Sequence, residues 1–202
     1  MPTYIVRLSG RLEGLPPDLL FRYSTAIGTL AGDGFLFLVV LLIARGLPFR
    51  EVFALRPTNR WGLAALAGVV TLIGAYALAY AEEAVIPIVR EQSVPVYWDE
   101  TRIGAWVANF ITVAILAPLF EESVFRGLGF ALLEPLGIRI TIFLTATAFT
   151  LAHGVIVDIP VIFATGLGLG YIRAMTGSIY PSAAVHIAFN AFGIVVAALV
   201  GG

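Results

Sequence analysis

Long apolar runs, each near the length of a membrane span, constrain this chain more than any other feature. A hydrocarbon core about 30 Å thick needs about 20 mostly apolar residues per helical crossing. Six such stretches can be read: Phe21 to Ala44, Trp61 to Ala81, Ile103 to Leu133, Ile138 to Val157, Ile159 to Met175 and Ile179 to Val200. The expected fold is all-α: a polytopic bundle of transmembrane helices with about six spans, in a range of six to eight. Composition agrees. Of 202 residues, 59% are hydrophobic and 12% charged, whereas a soluble domain carries about 25% charged residues. So few charges leave a water-facing surface largely uncovered.

Between the second and third spans, Glu82 to Arg102 is more polar, and Pro87 and Pro95 interrupt helix there. Tyr97 and Trp98 suit the headgroup level of a bilayer. This stretch reads as an interfacial loop. It separates an N-terminal membrane region, residues 1–102, from a C-terminal region, residues 103–202. Arg45, Arg50, Arg56 and Arg60 form the densest basic cluster. Placing them in the cytoplasm puts Arg139 and Arg173 there too, with both termini outside. The opposite side receives Arg7, Arg11, Arg90 and Arg102, with Glu82, Glu83, Glu91, Asp99 and Glu100. The first residues, MPTYIVRLSGRLEGLPP, contain no apolar signal core. The first span is therefore expected to direct insertion, and the expected location is the cell membrane.

Two classes of chemistry are excluded early. A net charge of −1 offers no electrostatic basis for binding nucleic acid. The chain has no cysteine, hence no disulfide, thiolate metal site or cysteine nucleophile.

Charges at bilayer depth cost roughly 2.5–3.5 kcal/mol each on insertion scales. The third span carries three, Glu121, Glu122 and Arg126, within ITVAILAPLFEESVFRGLGFALL. Taken separately they would cost about 8–10 kcal/mol, comparable with the whole stability of a domain. They must pair, lose charge or face water. Glu122 and Arg126 are one turn apart in the favourable order, and an ion pair is expected. Glu121 is rotated about 100° away and has no partner on its own helix. A carboxyl in that position is a candidate general base or acid. The plain alternative is that all three charges only staple helices together.

Both histidines of the chain fall in expected spans. His153 closes FTLAH, one turn after Phe149, and His186 opens HIAFN, one turn before Asn190. Counted from the cytoplasmic ends at 1.5 Å per residue, Glu121 lies roughly 18 Å deep, His153 roughly 22 Å, and His186 and Asn190 roughly 16 and 22 Å. With the long reading of the third span, the four side chains are expected to meet. Gly166 and Gly170 have GxxxG spacing in the fifth span and read as a packing face. Asp33 and Asp158 read as helix-end or water-exposed acids.

EESVFR fits EExxxR, FTLAH fits FxxxH, and HIAFN fits HxxxN. In order and separation these motifs resemble the CAAX prenyl endopeptidase and bacteriocin-processing (CPBP, Abi) family of intramembrane glutamate proteases. GLGLGYIRAMTGSIYPSAAVHIAFN also resembles that family's approach to its last motif. The resemblance runs from about Asn109 to Val200 and makes residues 103–202 a CPBP/Abi-like protease core. It implies a metal-independent endopeptidase. Glu121 is then the general base, and His153 helps it hold and activate a water. His186 and Asn190 stabilise the oxyanion. Glu122 and Arg126 support the site, and Phe149 sets His153. No cofactor is implied. The partners implied are membrane lipid and a peptide or protein substrate, which some family members require to be prenylated at a CAAX terminus.

Two other readings stay open at this point. One glutamate and two histidines, Glu121, His153 and His186, can bind zinc with an open position for water, although HExxH is absent. Alternatively, the same residues belong to a non-enzymatic membrane protein, an immunity-type interaction protein or a proton or ion relay. Hydrolysis requires the motifs to converge on one water; a relay requires them strung across the bilayer.

Overall fold

The computed structural model describes residues 16–85 and 96–201. Arg7, Arg11, Pro87, Arg90, Glu91 and Pro95, and the side chain of Glu83, lie outside the described residues. All the regular secondary structure among the described residues is helical. Helix α1 spans Tyr23–Ile43, the single turn α2 Phe49–Val52, and α3 Trp61–Val85. A long helix, α4, occupies Glu100–Leu136. Helices α5 (Ile138–Ala152), α6 (Ile159–Thr176) and α7 (Ile179–Val200) follow.

Five of these, α1, α3, α4, α6 and α7, are long and apolar enough to cross a membrane. The polytopic helical bundle expected from the sequence is what forms. The expected fourth span is the exception in length. Helix α5 has 15 residues, about 22 Å of rise, and stops at Ala152 instead of continuing to Val157. Gly154 takes a positive φ of 67°, a left-handed conformation that ends a helix and that glycine adopts without steric penalty. His153 therefore sits at the C-cap of α5.

Helix α4 alternates between α and π turns. Phe110–Leu116 and Ser123–Gly129 are π segments, and Ala117–Glu122 between them is α-helical. Pro118 is the second residue of that middle segment. Proline has no amide hydrogen and its ring crowds the preceding turn, so a widened turn just upstream relieves the clash. Wider turns also release backbone carbonyls from the helix ladder.

Close helix approach explains the glycines of α6. A Cβ at Gly166 would lie 3.1 Å from the Cα of Ala146 on α5. One at Gly168 would collide with the side chain of Thr71 on α3. Helix α6 is thus clasped from two sides, and the GxxxG face packs within the chain.

The basic loop after α1 is tied to the turn between α6 and α7. Ser178 Oγ donates to the Arg56 carbonyl at 2.7 Å, and Arg60 Nη1 donates to the Met175 carbonyl at 2.6 Å. At the opposite end, Phe21 meets Tyr97 and Trp98 edge-on at 5.5 and 5.7 Å. Asp18 there binds Arg22 and Arg102. The hydrogen bond from Arg22 holds the Asp18 carboxyl down at about 2. Much of the remaining surface is apolar, including Ile27, Phe35 and Leu38 of α1 and Leu63, Val70 and Ile73 of α3. A bilayer, not water, suits that surface.

Candidate active site

The middle segment of α4 places Glu121 and Glu122 side by side between the two π segments. Glu122 and Arg126 are fully buried, and Arg126 Nη1 donates to Glu122 Oε1 at 2.9 Å. Two further groups surround the guanidinium. Its Nη2 donates to the Gly166 carbonyl at 2.8 Å, and its Cζ lies 4.6 Å from the centroid of the Phe149 ring. A buried charge survives where other groups replace its water, and here a carboxylate, a carbonyl and a π face do so. Glycine at 166 has a second reason: α5 and α6 must meet closely for Phe149 and the Gly166 carbonyl to reach the same cation.

His186, also buried, comes in from α7 and links the two glutamates. Its Nδ1 is 3.2 Å from Glu122 Oε1, and its Nε2 is 3.6 Å from Glu121 Oε2. Glu122 is a carboxylate paired with arginine, so Nδ1 is the donor in that contact. This orients Nε2 toward Glu121. Glu121 itself is partly accessible, with a side-chain exposure of 20%. Its Oε2 is nevertheless buried and takes no hydrogen bond.

His153 sits half-buried just beyond α5. Its Nδ1 lies 2.7 Å from the Phe149 carbonyl. A carbonyl only accepts, so Nδ1 carries the proton and the neutral ring offers Nε2 as an acceptor. The Phe149 ring touches both imidazoles, with centroids 4.5 Å from His153 and 5.7 Å from His186. Phe149 thus holds two histidines and one guanidinium in register.

Asn190 lies one turn beyond His186 on α7. Its Nδ2 donates to the Val113 carbonyl at 3.1 Å, in the first π segment of α4. The asparagine is therefore engaged with backbone, and its second N–H is left to donate elsewhere. Arg173 of α6 makes the corresponding contact with the second π segment. Its Nε donates to the Arg126 carbonyl at 3.0 Å, and its guanidinium covers the Phe130 ring at 4.7 Å. The sequence reading gave Arg173 only a topological role.

Among the described residues, no three His, Asp or Glu side chains group in a way that could hold a metal ion. One reading needs correction. Asp33 is neither at a helix end nor water-exposed: it is half-buried near the centre of α1. A single acid inside an apolar span was the signal that could have found it. Asp158, by contrast, is at a helix end, the N-cap of α6, though buried.

The fold and site together define an integral membrane protein with paired carboxylates and imidazoles buried among its helices. A family model described as Type II CAAX prenyl endopeptidase Rce1-like matches residues 103–192. That region is thus similar to the CAAX protease (CPBP) family. No curated protein and no solved structure matches the chain.

Proposed function

We propose that this protein is a glutamate-dependent endopeptidase that cleaves near the C-terminus of a membrane-associated, CAAX-type substrate. One observation carries the reading: Glu121 Oε2, buried and without a hydrogen bond, faces the Nε2 of a histidine whose other nitrogen is fixed by Glu122. Glu122 is fully buried and ion-paired with Arg126, whereas Glu121 is partly accessible, so of the two carboxylates Glu121 is the one able to take a proton from water.

In this mechanism a water lies between Glu121 and the Nε2 of His153. Glu121 accepts one of its protons as the oxygen attacks the scissile carbonyl carbon. The carbonyl oxygen becomes an oxyanion, which the second N–H of Asn190 and the Nε2–H of His186 in its imidazolium form stabilise by donation. Collapse of the tetrahedral intermediate breaks the C–N bond, and the proton on Glu121 passes to the leaving amine. Arg126 keeps Glu122 ionised, and Glu122 keeps His186 oriented. A relay would spread such groups across the bilayer. Here Glu121, His186, Glu122, Arg126 and Phe149 form one chain of contacts, which supports a single locus of chemistry. The prenyl group, as in the family description, would lie against the lipid-facing surface in the cell membrane.

The test compares wild type with Glu121→Gln in detergent, on farnesylated and plain quenched peptides, with and without a zinc chelator. Glutamine keeps the shape and removes the base. Cleavage by wild type, insensitive to chelator and reduced at least about 100-fold in Glu121→Gln, is the expected result. Equal activity of the two proteins overturns the assignment.

A further inference from the structure

Asp33 is an acid inside a membrane span that the mechanism above does not use. It lies about halfway along the 21 residues of α1, so it cannot reach either headgroup region without tilting the helix. A carboxyl at that depth is expensive unless it faces polar groups. Its face of α1 identifies them. Phe37, one turn on, stacks on Phe120 with centroids 5.0 Å apart, and Phe120 immediately precedes Glu121. Residues one turn apart share a helix face, so Asp33 lies on the side of α1 that packs against the Glu121 segment of α4. Its charge acts on Glu121. Arg126, of opposite sign, also acts on Glu121. Glu121 thus lies in the field of a cation on α4 and an anion on α1.

We propose that Asp33 is a positioning residue of the active site, the counter-charge that stabilises the proton arriving on Glu121. The inference rests on the endopeptidase reading and deepens it. As water is deprotonated, its proton moves onto Glu121 while the Arg126 cation opposes that transfer. The Asp33 carboxylate offsets that opposition without touching substrate. The other charged or titratable groups of the site are Glu121, Glu122 and Arg126 on α4, His153 just beyond α5 and His186 on α7. None of these approaches from α1, so α1 contributes to the site through Asp33.

The experiment measures kcat, KM and the pH–rate profile of wild type, Asp33→Asn and Asp33→Glu on a peptide that wild type cleaves, with Glu121→Gln as the inactive reference. For Asp33→Asn, kcat is expected to fall roughly tenfold, as for loss of a unit charge several ångströms away at an effective dielectric near 20. KM should change by less than about twofold, because no substrate contact is lost. The acid limb should move to lower pH by about half a unit or more, since removing a nearby anion makes protonating the site harder. Asp33→Glu should retain the wild-type limb. A uniform loss at every pH, or a profile superimposable on wild type, overturns the proposal. Asp33→Ser removes the same charge with a smaller side chain, so a folding defect specific to asparagine does not decide the result. Failure of the underlying reading looks different: wild type cleaves no peptide, or Glu121→Gln remains active.

Discussion

The two π segments of α4 flank the same pair of glutamates but are held in different ways. The first, Phe110–Leu116, is tied by the half-buried amide of Asn190. The second, Ser123–Gly129, is tied by Arg173 and contains the fully buried Arg126. A neutral amide can be withdrawn from a carbonyl at little cost. A buried guanidinium cannot, because its charge has nowhere else to go. The comparison teaches that one end of the site is clamped by charge, while the other is held by a group that can also serve a reacting oxygen.

The largest break in that asymmetry should come from Arg126→Met. It leaves Glu122 buried without its cation, and removing one partner of such a pair costs about 3–5 kcal/mol. A marked fall in the unfolding midpoint in detergent, with loss of activity, is expected. A midpoint close to wild type would mean that Glu122 is compensated by His186 alone.

Arg173→Met is expected to be milder, about 2 kcal/mol, for a charged hydrogen bond and its ring contact. Activity should fall in step with the folded fraction, since Arg173 approaches the site only through backbone. Loss of activity in fully folded protein would contradict this.

Asn190→Ala sharpens the contrast most. Its stability cost should be the smallest, about 1 kcal/mol for one neutral hydrogen bond. Its effect on kcat should nevertheless be large, about 100-fold, as for loss of an oxyanion donor. If stability and activity fall together by the same small amount, Asn190 is a tie like Arg173 and nothing more.

What the sequence disclosed follows this division. The Glu122–Arg126 pair was legible because a four-residue spacing on a helix is a local matter. The spans were legible from apolar length, and the headgroup-level aromatics Tyr97 and Trp98 from their chemistry. The partners of Asn190 and Arg173 were not legible. Both are backbone carbonyls released by π turns, and no residue pattern here announces a π turn beyond the hint of Pro118. The early end of α5 was signalled by Gly154, but the apolar run to Val157 outweighed it. Asp33 was underestimated because the α4 segment that its face packs against is distant in sequence. Convergence of Glu121 and His186 depended on the long reading of the third span, and α4 has that length.

The shortness of α5 has a consequence for the surrounding lipid. A helix of about 22 Å cannot match a hydrocarbon layer of about 30 Å. The layer must thin beside it, or headgroups and their hydration must dip inward at one end. One of the two ends of α5 carries His153. A protease embedded in oil has to obtain its second reactant from outside, and a local depression of the membrane at α5 would shorten the path from bulk solvent to the imidazole.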